Sequence, residues 1–248
     1  MTDPVHRDVL RTEFERVAGT FARRTAGRFD DLDVVAFSGI EEGDVVVEVG
    51  AGTGNFLALF EDRASHLIAI DLTEGMLREA RRLFPHMVPV MADGAQLPLA
   101  SRSVDFVSSA QTFHHVWEPL ALLKEMRRVV KPSGRVLVVD QVATERYEEA
   151  VMMNRLEIIR DPSHTACRPP SAMRALVQAS GLELVDERIV EGKQTISDWM
   201  YPGEFPPERF EAVERFIEEH GSETGMDLRR EEGGWSFTRR RMMLLAQR

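Results

Sequence analysis

The chain predicts an α/β fold built on a doubly wound, mostly parallel sheet, and three observations lead there. A β-branched run, Val45-Val46-Val47-Glu48-Val49, feeds directly into glycines at 50, 52 and 54. From there to Asp140 strand-like and helix-like segments alternate, the rhythm of a parallel sheet covered on both faces. With 248 residues, 43% of them apolar, the chain can bury one core of ordinary size, so a single domain with insertions is expected.

Residues 5 to 38 read as helical, because Val9, Leu10, Phe14, Val17 and Phe21 recur near helical spacing with charges on the other face. Glu41-Glu42-Gly43-Asp44 is a turn into the first strand, 45–49, and a crossover helix is expected after Thr53. The second strand is 67–71. A helix over 73–83 follows, with Thr73 as its N-cap, and 87–91 is a short strand. The fourth strand is 104–109, and the helix 119–130 carries Pro119 in its first turn. Lys131-Pro132-Ser133-Gly134 ends that helix before a fifth strand, 135–140. Beyond it the rhythm breaks. Residues 144–170 hold a polar helix and a Pro-rich loop, 171–180 a helix that Gly181 ends, and 182–190 a sixth strand. Turns and one helix, 207–220, are expected within 191–232, and 235–246 is the last strand.

In an open sheet of this kind a ligand sits beyond the carboxyl ends of the strands, where the strand order reverses. Glu48 and the glycines Gly50, Gly52 and Gly54 fall there. A dinucleotide loop wants glycine at 55, where this chain has Asn55, and a carboxylate at 48 would repel a pyrophosphate. The same carboxylate suits a cationic ligand, and the loop reads as one for S-adenosylmethionine, whose amino group and sulfonium are both positive. Asp71, 17 residues after Gly54, is placed to accept from ribose hydroxyls. Asp93 and Gly94 follow the third strand, where an aspartate can meet an adenine amino group. His114 and His115 follow the fourth strand and are candidates for acceptor contact or proton transfer.

Val-Glu-Val-Gly-Ala-Gly-Thr-Gly, Ile-Asp-Leu-Thr-Glu-Gly-Met-Leu, Ala-Asp-Gly-Ala-Gln-Leu-Pro-Leu, Phe-His-His-Val-Trp-Glu-Pro and Arg-Val-Val-Lys-Pro-Ser-Gly-Arg occur in that order. Over 45–142 the chain thus resembles the class I S-adenosylmethionine-dependent methyltransferases, in the branch that includes quinone-biosynthesis and small-molecule enzymes. The resemblance implies a Rossmann-like, seven-stranded sheet with an antiparallel last strand. It implies that Glu48, Gly50, Gly52 and Gln111 lie at the methionine part of the cofactor and that Asp71 binds the ribose. Leu72 and Met76 would pack on the adenine, and Asp93 and Gly94 would meet its edge. It also gives the expected organisation: an N-terminal helical lid over 1–40, a cofactor-binding core over 41–142, a substrate-covering insertion over 143–170 and the rest of the sheet over 171–248. Within the insertion Arg160 and His164 are candidates for substrate contact. Of the two histidines, His114 is the expected base and His115 the residue that shapes the loop.

The expected activity is methyl transfer to a small organic acceptor at O, N or C. The rivals are a cofactor-binding protein of the same fold with a non-methylating role, as a cyclase or regulatory module, and an NAD-dependent oxidoreductase. A formal net charge of −10 argues against a nucleic-acid partner. The basic clusters Arg23-Arg24 and Arg239-Arg240-Arg241 read as solvated faces or strand edges. No run has the length to cross a membrane, and a single cysteine, Cys167, fits a reducing, cytoplasmic setting and offers no metal site with His164. Met152, Met153, Met242 and Met243 are expected in the core.

Overall fold

The computed structural model describes residues 4–200 and 205–248. Its elements are α1 (Pro4–Arg24), α2 (Val34–Ser38), β1 (Val45–Val49), β2 (His66–Asp71), α3 (Glu74–Leu83), β3 (Val88–Met91), β4 (Val104–Ala110), α4 (Pro119–Val129), β5 (Val130–Gln141), α5 (Tyr147–Arg160), α6 (Pro170–Ser180), β6 (Glu183–Thr195), α7 (Ile196–Met200), α8 (Pro207–His220), β7 (Arg229–Glu231) and β8 (Gly234–Gln247). The sheet order is β3-β2-β1-β4-β5-β8-β6. Strands β1 to β5 pair in parallel, and β8 runs antiparallel between β5 and β6. The seven expected strands are present in the expected sense. The short β7, paired with the start of β8, makes an eighth.

The period of two along each strand divides the core into two layers. Val47, Val107, Val136, Val138, Met242 and Leu244 face α4 and α6. Val46, Phe106, Leu137, Val139, Met243 and Leu245 face the opposite layer, which contains α2, Phe56, Leu57, Phe60 and Leu77. A third cluster closes the end of the molecule: α5, α7 and α8 bury Met152, Met153, Leu156, Trp199, Phe216 and Phe237 together.

Several expectations are corrected. The N-terminal region is two helices rather than one, broken at Thr25 to Asp33. The crossover after Thr53 is only a 3₁₀ turn, Leu57–Phe60. Ser65 bonds back to Asp44 and Gly43 to Arg63, so the chain must return to β2 too soon for a longer helix. A three-residue turn then puts Leu57 and Phe60 on one buried face. Thr73 does sit at the N-cap of α3, but its hydroxyl is buried without a partner. Instead Glu15, on α1, accepts the Gly75 amide at 3.0 Å and so caps α3 from another element. The segment from 191 is more regular than expected, because β6 runs on to Thr195 and α7 follows it. Turns expected at 201–204 lie outside the described residues.

β5 starts at Val130 and carries an irregularity: Val104 pairs with Val130, and Phe106 pairs with Arg135. The extra residues leave Gly134 against the neighbouring strand. A Cβ there would lie 2.4 Å from the carbonyl oxygen of Asp105, a backbone atom that cannot move aside alone. Gly134→Ala is therefore expected to lower the unfolding free energy by about 1–3 kcal/mol through overpacking. Urea denaturation checks this, and an unchanged midpoint would refute the close approach.

Candidate active site

Strand order reverses between β1 and β4, and a crevice opens at their carboxyl ends. The loop after β1 forms its floor. Gly50, Gly52 and Gly54 all have left-handed backbones, with φ of 75°, 53° and 82°, which L side chains rarely tolerate. A Cβ on Gly50 would strike the Thr112 side chain at 2.3 Å, whereas one on Gly52 would project into open space. The tight approach of Gly50 lets the β1 and β4 loops meet. The bare backbone at Gly52 leaves room for a ligand.

Glu48, Asp71, Asp93 and Gln111 all line this first cavity. Glu48 is 1% exposed, and its Oε2 is buried with no hydrogen-bond partner. Burial raises its carboxyl well above the usual range, the Leu57 amide opposes this, and Asp71 adds repulsion. A carboxyl group with an unpartnered oxygen on the wall of a cavity can accept a hydrogen bond from a ligand, and a cationic ligand would favour its charged form. The Asp71 carboxylate is oriented by two amides, from Gly52 to Oδ2 at 2.8 Å and from Thr73 to Oδ1 at 2.8 Å, and each oxygen keeps a further lone pair. Burial nonetheless raises its pKa. Asp93 accepts the Ala95 amide, and Arg7 of α1 reaches it at 3.8 Å. Leu72, Met76 and Gly94 are also on the wall. The missing Cβ of Gly94 makes room for Leu122 and Val49, which would lie 2.8 Å from it, so this glycine is required by packing as much as by the cavity.

α1 roofs the crevice. Phe14 meets the His115 ring edge-on at 5.1 Å, and His6 bonds the His115 carbonyl at 2.8 Å. Asn55 ties the glycine loop to the end of α1 through the Ala22 carbonyl and the Thr25 hydroxyl, both at 2.9 Å.

A second cavity continues from the first and shares the walls Phe14, Phe21, Arg28, Gln111 and His115. His114 lines only this one. Its Nδ1 lies 2.6 Å from Asp140 Oδ1, and its backbone amide donates to Asp140 Oδ2. Burial, then the imidazole of His115 and the guanidinium of Arg160, push His114 well below the usual imidazole range. Burial lifts Asp140 to about 6, although amides including that of Gln141 oppose the shift. His115 is bound through Nδ1 to the Ser163 carbonyl at 3.0 Å. Arg160 reaches this cavity, stacked on Trp199 at 4.6 Å and bonded to Glu157. His164, expected against substrate, lies behind the wall of both cavities, with Nε2 bonded to Asn154. Gln111 stands between the cavities with φ of 52°, a strained backbone of the kind found at functional sites.

The reading of Arg239 and Arg241 as solvated or edge residues is overturned. Arg241 is 4% exposed and paired with Asp31, and Arg239 lines the second cavity and bonds Gln111. Both lie at odd positions of β8, on the face that also presents Met243 and Leu245 to the core, and that alternation was the available signal. Asp140 and Arg28 also carried no expectation. Asp140 could have been found as the acid at the carboxyl end of β5; Arg28, in a turn, has no periodic signal.

Residues 47–138 match the model of a methyltransferase domain. A demethylmenaquinone methyltransferase of Renibacterium salmoninarum is 35% identical over 43% of this chain and 45% of its own length. A malonyl-[acyl-carrier protein] O-methyltransferase of a Marinomonas species is 37% identical over 42% of this chain and 40% of its own. The chain thus spans less than half the length of these relatives. Among solved structures, the YcgJ protein of Bacillus subtilis superposes with a TM-score of 0.79 at 21% identity, over 87% of this chain and 96% of that one. The stretch 47–138 is thus similar to methyltransferase domains, and the solved structure shares the fold.

The Glu48 carboxyl holds its proton more tightly folded than unfolded. Its cost is thus absent below about pH 4 and grows as pH rises through the carboxylate range toward the folded pKa. Glu48→Gln is expected to stabilise the ligand-free protein relative to the parent, by a margin larger at pH 8 than at pH 5, while weakening cofactor binding. Urea titrations at the two pH values check the first part; a margin that shrinks with pH would contradict it.

Proposed function

We propose that this protein transfers a methyl group from S-adenosylmethionine, held in the first cavity, to a small organic acceptor in the second. The observation that carries the reading is the buried Glu48 carboxyl, whose Oε2 has no partner, beside a left-handed glycine loop and the oriented Asp71. In this reading Glu48 takes the amino group, Gly50 and Gly52 pass the methionine chain, and Gln111 lies at the end nearest the acceptor. Asp71 accepts from the ribose hydroxyls. Leu72 and Met76 pack on the adenine, with Asp93 and Gly94 at its edge.

The bound sulfonium supplies an already activated methyl group, so the protein's work is alignment and exclusion of water. α1 and the stretch 143–170 are the covers: Phe14 and Arg7 close over the first cavity, and Arg160 and Asp161 wall the second. For an acceptor that holds its proton at neutral pH, His114 is the base. Asp140 fixes its Nδ1, which leaves Nε2 for the incoming proton. His115, engaged by Ser163 and Phe14, fixes the loop between the cavities.

Incubation with methyl-labelled cofactor and a panel of small phenols, amines and acids tests the function directly: label in an acceptor is expected, and cofactor binding without transfer to any member would favour a non-methylating role. Asp71→Ala is expected to weaken cofactor binding by about 1–3 kcal/mol in calorimetry, because the ribose hydroxyls lose a charged acceptor. Unchanged affinity would remove Asp71 from the assignment.

The pH profile tests the base. Neutral imidazole is the active form, and the folded pKa is depressed, so kcat with a protic acceptor is expected to stay level well below pH ~6.5. His114→Gln is expected to cut kcat by ~10²–10⁴ with cofactor affinity nearly intact. Near-normal turnover of that variant across pH 5 to 8 would show that positioning alone carries the reaction.

A further inference from the structure

Two of the guanidiniums at the second cavity contact no carboxylate of the described residues. Arg28, Arg160 and Arg239 reach it from three distant parts of the chain. Arg160 is paired with Glu157, and Gln141 donates to the other oxygen of that carboxylate. Asp140 is taken by His114 and by backbone amides, and Asp161 by Ser163. Glu13 pairs with Arg16, and Asp31 with Arg241. That leaves two guanidiniums without a carboxylate among the described residues. Among the described residues Arg28 makes no hydrogen bond or ion pair through its guanidinium, which lies over the face of Phe21 at 6.0 Å. Arg239 makes one bond, to the neutral Gln111 Oε1, and its Nε is buried without a partner. Gln111 Nε2 beside it is also a buried donor with no acceptor.

Resting on the methyltransferase reading, we infer that the acceptor carries a carboxylate, held by Arg28 and Arg239 with Gln111 as a third donor. Burial first, then the neighbouring guanidiniums, lower Arg28 well below its usual range and Arg239 to about 10, with Asp140 opposing at both, and an anion in contact would favour their charged forms. The guanidinium fork matches a carboxylate's two oxygens. Phe14, Phe21, Phe205 and Trp199 offer apolar walls to the rest of the molecule. Asp161, bonded to the neutral Ser163, keeps its charge on the same wall and opposes a doubly charged group, which favours a carboxylate over a phosphate. Arg28 lines both cavities, so its ligand would span the passage where transfer occurs.

The test uses the full chain loaded with S-adenosylhomocysteine, titrated calorimetrically with acetate, malonate and benzoate, their amides, and phenyl phosphate. At least one acid is expected to bind about tenfold more tightly than its amide, since a hydrogen bond to a charged group is at stake. That advantage is expected to vanish in Arg239→Gln and Arg28→Gln, with affinity for S-adenosylhomocysteine held within about threefold. Arg28 lies in a turn, so its variant serves even if Arg239→Gln fails to fold. Acids no better than amides, a preference for phenyl phosphate, or an acid preference that survives both substitutions would overturn the inference. Failure of the parent to bind S-adenosylhomocysteine would instead strike the methyltransferase reading.

Discussion

β1 hydrogen-bonds to β2 on one edge and to β4 on the other, in parallel on both sides, and this pairing sets the positions of Glu48, Asp71 and Gln111 around the first cavity. Parallel register brings Glu48 opposite Ala69 and Ser108, with Asp71 and Gln111 just beyond on the flanking strands. Each chain must then turn sharply as it leaves the sheet. The turn after β1 is possible only because Gly50, Gly52 and Gly54 accept left-handed backbones. A carboxyl group at the end of a central strand is covered on both faces, so Glu48 is buried and meets only the cavity at the strand end.

The buried charge of this protein is concentrated at one end. The two layers flanking the sheet are almost wholly apolar. At the carboxyl ends, by contrast, Glu48, His114, Asp140, Glu157, Arg160 and Arg241 are all buried. Their pairing is uneven. Asp140 with His114, and Glu157 with Arg160 and Gln141, form satisfied groups that fix side-chain orientation. Glu48 on one side and Arg28 with Arg239 on the other remain uncompensated. Groups of opposite sign that lack a partner in adjoining cavities are what the proposed cationic cofactor and the inferred acid would each satisfy.

α1 joins these parts. It touches the glycine loop through Asn55, caps α3 through Glu15, reaches Asp93 through Arg7 and covers His115 with Phe14. Its own apolar contribution is small, resting on Val17 and Ala18 against Met76 with Phe14 and Phe21 alongside. α1 is thus held over the crevice by a few polar contacts and a narrow apolar seam, separate from the core of the sheet.

The sequence by itself determined the sheet, its strand sense and the first cavity. Those depend on local signals: β-branched runs, glycines at 50, 52 and 54, and acids at strand ends such as Asp71 and Asp93, whose order along the chain is also their order around the crevice. Only the tertiary structure decided the second cavity. Arg28 comes from a turn, Arg160 from the end of α5 and Arg239 from β8, and no spacing in the chain relates them. It also set His164 behind the wall and turned Arg241 inward, because in a strand one residue's difference selects the face and only the packed sheet shows which face is covered. Signals carried by short-range geometry survive in sequence. Those that depend on which distant segments share a space arise only when hydrophobic burial brings the segments together.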